Sequence, residues 1–175
     1  MKLHYRILTA LFVFLFAASW AQQPKPGGVL AAADLKALVP TGYFYRGQTA
    51  SVQLRNSAGI RTGDHKGDQK KDQKYVLAGL VDTSGYASDV AQKYQGFFIT
   101  EIKLNIEGSE LAPGEYGFGF AGDKFIVTDV GANDLLSVAS KKDDNLKRPV
   151  PLKIVEDGGA YRLYAGRKYV TLTLE

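Results

Sequence analysis

The chain has 175 residues, a formal net charge of +4 at pH 7 and no cysteine. This length suits a single domain with a sizeable core. The lack of cysteine excludes disulfides, thiolate zinc sites and Cys/His nucleophiles. The small excess of basic residues does not indicate nucleic acid or an anionic membrane surface as a partner.

Residues 1–21 have the pattern of a cleaved export signal. Lys2 and Arg6 form a basic start, and the run that follows is nearly all apolar. Ser19 and Ala21 supply the small residues expected before a cleavage point. The apolar run is shorter than the ~20 residues that span a bilayer. We therefore expect a protein exported to the bacterial periplasm or the cell exterior, with no membrane span after signal cleavage.

Two short helices are predicted. Residues 22–41 form a lead-in that can contain one helix over 30–39, ended by Pro40. A second helix is predicted over 89–94, with Ser88 as its N-cap.

Period-two patterning dominates residues 42–175. In 97–107 the even positions are mostly apolar and the odd positions mostly polar, which is typical of a half-buried strand. Similar runs occupy 43–46, 51–55, 75–81, 116–120, 125–130, 152–155, 161–164 and 169–174. Many short strands at close spacing predict one all-β domain, either an antiparallel β-barrel or a β-sandwich, with one or two short helices.

Residues 63–74 form three tetrapeptides of the type x-D-x-K and contain no apolar side chain. Such a segment cannot contribute to a core, so we predict a mobile charged loop. The loop contains His65, the one histidine beyond the signal, and Asp64 and Asp68 beside it. Because a mobile loop positions a base or a metal poorly, we expect neither a catalytic histidine nor a resident metal.

Gly117, Gly119 and Gly122 have the G-x-G-x-x-G spacing of dinucleotide-binding sites. That site requires a helix after the glycines, whereas the next residues, 124–128, favour a strand. We therefore expect a hairpin and no cofactor. Gly117 and Gly119 leave one strand face bare, which can accept either a ligand or a large neighbouring side chain.

Asp82 ends an apolar run and is followed by Thr-Ser-Gly. This differs by one inserted residue from the Asp-Thr-Gly or Asp-Ser-Gly loop of aspartic proteases, so it favours a strand-end turn. Asp82 and nearby Tyr86 remain candidate ligand-binding residues. The carboxylates that leave a glycosidase-like hydrolase open are Asp82, Glu101, Glu115 and Asp129.

The C-terminal hairpin brings Tyr161, Arg162, Tyr164, Arg167 and Tyr169 near one another. Alternation places Tyr161 on one face of the sheet and Arg162 with Tyr164 on the other. An arginine beside tyrosines can bind a carboxylate or stack on a ring, so all five are candidate ligand-binding residues. Ordinary cross-strand pairing is the alternative.

These patterns predict a non-catalytic binding or interaction module of the bacterial envelope, whose partner is an unidentified small molecule or envelope protein. The chain has ten tyrosines, whose flat, polar-tipped rings suit contact surfaces. We expect the ligand at a strand end or barrel mouth. The alternatives are a carboxylate-dependent hydrolase and an accessory subunit of an envelope assembly that receives a partner strand.

Overall fold

The strands form a β-sandwich, which confirms the predicted all-β class and decides between the two predicted architectures. The computed structural model describes residues 28–63 and 73–175. Within these ranges the strands lie in two antiparallel sheets that do not close into a barrel. The predicted signal 1–21, and the part of the charged loop that includes His65, lie outside the described residues.

The elements follow one another along the chain, and the longest connection, residues 62–74, joins β3 to β4. They are β1 (Gly28–Val29), α1 (Ala32–Leu38), β2 (Gly42–Tyr45), β3 (Gln48–Arg61), β4 (Tyr75–Val81), α2 (Ser88–Lys93), β5 (Gly96–Thr100), β6 (Leu104–Ile106), β7 (Ser109–Leu111), β8 (Gly114–Ala121), β9 (Lys124–Thr128), β10 (Asp134–Ala139), β11 (Lys141–Lys142), β12 (Val150–Asp157), β13 (Ala160–Gly166) and β14 (Lys168–Leu174).

The two sheets differ in size. The large sheet has the order β1-β3-β4-β5-β8-β9-β10, with β2 paired to β3. The small sheet has the order β12-β13-β14-β6-β7, with β11 paired to β14. Hairpins dominate both sheets, as the close spacing of the predicted strands requires.

The predicted continuous strand over 97–107 is wrong, because the chain leaves the large sheet after Thr100 and enters the small sheet at Leu104. The hydroxyl of Thr100 donates to the carbonyl oxygen of Ile102 at 2.6 Å and closes a local turn. Phe98 and Thr100 on one side of the turn, and Leu104 on the other, are all buried. The alternation therefore continues through the break and conceals it.

The main core fills the space between the sheets. Its largest fully buried side chains are Tyr161, Phe98, Phe118, Phe125, Ile60, Leu104, Ile106, Leu163 and Leu172. A second apolar cluster covers the other face of the large sheet, beneath the helices and the β2–β3 hairpin. It includes Leu30, Leu35, Tyr43, Tyr45, Leu77, Val90, Tyr94 and Phe97.

Both predicted helices are present and short. Helix α1 lies within the predicted range and ends at Leu38, and the N–H of its C-cap residue Val39 donates to the carbonyl oxygen of Leu35 at 2.9 Å. The predicted N-cap of α2 is wrong: Ser88 is already helical, and Ala87 precedes it without a side-chain cap. Across the described residues, no helix has the length and apolar character needed to cross a membrane.

Glu107 fastens the β6–β7 turn to the small sheet. Its Oε1 accepts the N–H of Thr171 at 2.6 Å, and its Oε2 pairs with Lys141 Nζ at 2.6 Å. Burial raises the pKa of this carboxyl, but the Lys141 ammonium and the Thr171 donor outweigh burial and bring the pKa below its ordinary value.

The Glu107→Gln variant is expected to unfold about 1–2 kcal/mol more easily at neutral pH, because a charge-assisted bond becomes a neutral one. A lowered folded-state pKa means that this stability is complete above the unfolded pKa of ~4.3 and is lost as pH falls through the folded value. Urea unfolding at pH 7 and at about pH 2 measures the loss.

The matched control is Glu110→Gln, in the same β6–β7 hairpin. The Glu110 side chain is 65% exposed and pairs with Lys103, so its replacement should change stability by less than about 0.5 kcal/mol. A Glu107→Gln deficit that persists unchanged in acid would contradict the role assigned to the carboxylate.

Candidate functional site

The C-terminal hairpin places its candidate residues on two faces. Tyr161 is fully buried in the inter-sheet core, and its hydroxyl has no hydrogen-bond partner among the described residues. Burial raises the pKa of Tyr161. Arg162 and Tyr164 lie on the outer face of the small sheet, so Tyr161 does not share a surface with them.

On the outer face, Arg162 is occupied by groups of the chain itself. Its guanidinium lies over the ring of Tyr169, 4.8 Å from the centroid, and forms an ion pair with Asp157. Its Nη1 also reaches the hydroxyl of Tyr164 at 3.4 Å. The carboxylate partner that the sequence suggested for this arginine is supplied internally.

Tyr164 is enclosed in the same way and is only 3% exposed. Its hydroxyl donates to Asp143 Oδ2 at 3.1 Å, and Lys153 Nζ lies 4.8 Å from its ring centroid. The rings of Tyr164 and Tyr169 are 5.0 Å apart. The cross-strand partners Lys153 and Tyr169, together with Asp143 in the loop after β11, thus supply the contacts of Tyr164.

The bare face of β8 lies beneath aromatic rings. Tyr45 and Tyr94 stack with centroids 3.7 Å apart, and a Cβ added to Gly117 would lie 2.5 Å from Tyr45 Cε2. A Cβ on Gly119 would collide with the carbonyl oxygen of Lys93 at the end of α2. Within the described residues, both glycines have protein atoms against them.

Tyr86 joins this aromatic cluster, whereas Asp82 stays outside it. The Tyr86 hydroxyl donates to the carbonyl oxygen of Tyr45 at 3.1 Å, and its ring meets Tyr94 edge-on at 5.2 Å. Asp82 Oδ1 accepts the N–H of Ser84 at 3.0 Å, which lowers the pKa of Asp82. Asp82 therefore closes its own turn, as Asx residues commonly do.

Two other carboxylates also organise local backbone. Glu101 Oε2 accepts the N–H of Tyr75 at 2.8 Å. Asp129 Oδ1 accepts the N–H groups of Gly131 at 2.8 Å and Asn133 at 2.9 Å. Glu115, the fourth candidate carboxylate, is exposed on β8. These contacts do not test the hydrolase alternative, which stays a prediction.

The accessory-subunit alternative also stays a prediction. Strand β10 ends the large sheet and, among the described strands, pairs with β9 alone. Its Leu135 side chain is 54% exposed. An edge strand of this kind is geometrically open to strand addition.

A cleft of about 510 Å³, here called the mouth cleft, opens where the two sheets end. Its lining residues come from the chain before β5, the end of β8, strand β11, the loop before β12, and the β13–β14 turn. They are Gln95, Phe120, Lys142, Pro149, Ala165, Gly166, Arg167 and Lys168. The mouth cleft lies at the strand ends, where the sequence predicts a ligand.

One wall of the mouth cleft is formed by Gln95, whose side chain forms hydrogen bonds with a backbone N–H and carbonyl group as a neighbouring strand would. Gln95 Nε2 donates to the carbonyl oxygen of Phe120 at 3.3 Å, and Gln95 Oε1 accepts the N–H of Phe120 at 3.0 Å. This pair continues the β5–β8 ladder beyond Gly96. The position of this wall is therefore fixed by the pairing of the Gln95 side chain with the Phe120 backbone.

The opposite wall is the tight β13–β14 turn. Gly166 has φ +62°, the left-handed conformation that glycine adopts without strain. Arg167 Nη1 donates to the carbonyl oxygens of Asp144 at 3.0 Å and Leu146 at 2.5 Å. These bonds hold the β11–β12 loop against the turn. Of the five hairpin residues singled out in the sequence, only Arg167 lines the mouth cleft.

A smaller cleft of about 300 Å³ lies over the aromatic cluster, between α2 and the β2–β3 turn. Its lining carries charges of both signs, Arg46 and Lys93 against Asp89. Lys93 already pairs with Asp134 at 2.8 Å. Its charges thus largely balance, in contrast to those of the mouth cleft.

No protein-family model, curated protein or solved structure gives a significant match to this chain.

Proposed function

We propose that this chain is an exported, non-catalytic binding module of the bacterial envelope, and that a small ligand occupies the mouth cleft. The supporting observation is a cleft of about 510 Å³ at the strand ends of the sandwich. Small-molecule sites typically measure ~300–1,000 Å³ and combine apolar walls with a few polar groups. The mouth cleft has both components, with Phe120, Pro149 and Ala165 beside basic side chains.

The proposal that the module is non-catalytic rests on the hydrogen bonds that its candidate carboxylates accept. Asp82, Glu101 and Asp129 accept hydrogen bonds from backbone N–H groups of nearby turns and strands. The N–H of Ser84 lowers the pKa of Asp82, and the side-chain amide and N–H of Asn133 lower the pKa of Asp129, whereas a general acid needs a raised pKa. Their arrangement suits turn formation better than proton transfer.

Filling the mouth cleft should abolish ligand binding. We expect Ala165→Phe to remove binding of small aromatic probes, because Ala165 lies on the cleft wall. Benzoate, phenyl phosphate, benzamide and benzylamine are titrated separately into the purified protein. Amide NMR shifts of Gly166 and Gln95 report binding. At least one probe should shift them saturably.

Ala160→Phe is the matched control, since it adds the same ring at the other end of β13. It should leave probe binding intact. If none of the four probes shifts the lining amides, or if shifts appear equally in Ala165→Phe, the proposed binding site is wrong.

Export is tested separately, because it rests on the sequence of residues 1–21. The full chain is expressed in a Gram-negative host, and the periplasmic fraction is analysed by intact mass. Loss of residues 1–21 supports export. Recovery of the uncleaved chain from the cytoplasm contradicts it.

A further inference from the structure

We infer that the mouth cleft selects an anion, a carboxylate or phosphate group carried on a compact apolar body. This inference rests on the proposed function and names the ligand class for that site. Three basic side chains line the mouth cleft: Lys142, Arg167 and Lys168. Among its lining residues in the described part of the chain, none is acidic.

Two of these cations face each other across a strand pair. Lys142 of β11 and Lys168 of β14 are direct register partners, so their side chains project from the same face of the small sheet. Like charges directly opposite each other destabilise an antiparallel pair. A bound anion between them would remove this repulsion.

The protein itself neutralises the pair only in part. Lys142 Nζ lies 2.6 Å from Asp144 Oδ1, but the Asp144 side chain is 73% exposed, and such surface pairs contribute little. Lys168 Nζ donates to the carbonyl oxygen of Gly122, a neutral acceptor. Each ammonium group has three donors, so both keep donors for a ligand.

Arg167 adds a donor group that is already fixed in place. Its Nη1 is used by the carbonyl oxygens of Asp144 and Leu146. Within the described residues its Nε and Nη2 make no hydrogen bond. A guanidinium held by the backbone can bind an oxyanion with little further loss of side-chain entropy.

The apolar part of the ligand is set by the floor. Phe120 is 7% exposed, and its ring centroid lies 4.9 Å from that of Phe125, so packing in the core fixes its position. Pro149 and Ala165 extend this apolar surface. A ligand that joins an anionic group to an apolar body satisfies both halves of the mouth cleft.

The experiment compares probes that share one ring and differ in charge. Calorimetric or NMR titrations at low salt measure the affinity of benzoate, phenyl phosphate, benzamide and benzylamine. At least one anion should bind about tenfold or more tightly than benzamide, as expected for charge-assisted hydrogen bonds. The preferred anion distinguishes a carboxylate ligand from a phosphate ligand.

Two variants should move anion affinity in opposite directions. Lys142→Gln should weaken benzoate or phenyl phosphate binding by about five- to tenfold and leave benzamide unchanged. Asp144→Asn should strengthen anion binding, because it releases Lys142 from its partner. The control Lys153→Gln removes a charge from the outer face of the same sheet and should have no effect.

The probe titrations and the variants distinguish a failure of anion selection from a failure of the binding site. If benzamide binds as tightly as the anions, or if Lys142→Gln and Asp144→Asn leave anion affinity unchanged, anion selection is wrong while the binding site stands. If none of the four probes binds in the mouth cleft, the proposed function itself fails.

Discussion

The Gly119→Ala variant is expected to lower the free energy of unfolding by about 2–3 kcal/mol, because overpacked sites strain the backbone around them. A Cβ at this position would collide with the carbonyl oxygen of Lys93 and would lie 2.8 Å from its carbonyl carbon. These are backbone atoms at the end of α2, so no side-chain rotation relieves the clash. Urea unfolding followed by circular dichroism measures the change.

The displacement should also reach the mouth cleft. Lys93 is followed within two residues by Gln95, whose side chain pairs with the backbone of Phe120. A shift of α2 therefore disturbs one wall of the cleft, and we expect weaker probe binding by folded Gly119→Ala.

Gly28→Ala is the control for the Gly119 variant. A Cβ added to Gly28 has no atom within 4 Å among the described residues, and the glycine lies on the exposed strand β1. Its replacement should change stability by less than about 0.5 kcal/mol. Equal stability of the two variants would show that α2 does not press against β8 as described.

Local patterns were sufficient for the fold class. The β8–β9 hairpin was predicted from alternation on both sides of Gly122-Asp123, and the structure pairs Ala121 with Lys124 across that turn. Gly122 has φ +60°, which the tight connection requires. Signals of this kind depend only on neighbours in the chain, so they survive in a single sequence.

The break between β5 and β6 was not predictable in the same way. Thr100, Ile102 and Leu104 continue the alternation, because both sheets contribute side chains to the same inter-sheet core. Which sheet a strand joins is decided by distant partners, here β8 for β5 and β14 for β6. Periodicity carries no information about those partners.

In the candidate site, too, contacts between chain neighbours were predictable and contacts between distant segments were not. Their closeness in the sequence correctly predicted that Arg162, Tyr164 and Tyr169 lie together. It did not indicate that Asp157 would pair with Arg162 or that Asp143 would accept the hydrogen bond of Tyr164. Lys142 and Lys168 were missed because their pairing depends on the β11–β14 register. That register joins chain segments that are far apart and have no common local signal.

The aromatic cluster beneath the β2–β3 hairpin provides the second large effect. Tyr45 is 1% exposed, stacks on Tyr94 and lies against Gly117. Tyr45→Ala should lower the free energy of unfolding by about 4 kcal/mol, as large-to-small changes of buried aromatic side chains do. The loss is large because the bare glycine surface below would face a cavity. Urea unfolding of the purified variant measures it.

The hydroxyl groups of the two stacked rings should behave oppositely. Tyr45 Oη is hydrogen-bonded to the buried Thr128 Oγ1 at 2.7 Å, so Tyr45→Phe should cost about 1 kcal/mol. The Tyr94 hydroxyl is buried and forms no hydrogen bond of good geometry among the described residues, although the Tyr86 hydroxyl is placed to interact with it. Removing an unsatisfied polar group relieves a desolvation penalty, so Tyr94→Phe should be neutral or stabilising.

Comparing the two Tyr→Phe variants separates hydrogen bonding from packing, because each keeps its ring and loses one oxygen. For a domain of this size, 1 kcal/mol corresponds to about 2–4 °C in Tm, which thermal unfolding resolves. If Tyr94→Phe were the more destabilising of the two, its hydroxyl would have to bind a partner, and the packing of the cluster against β8 would need revision.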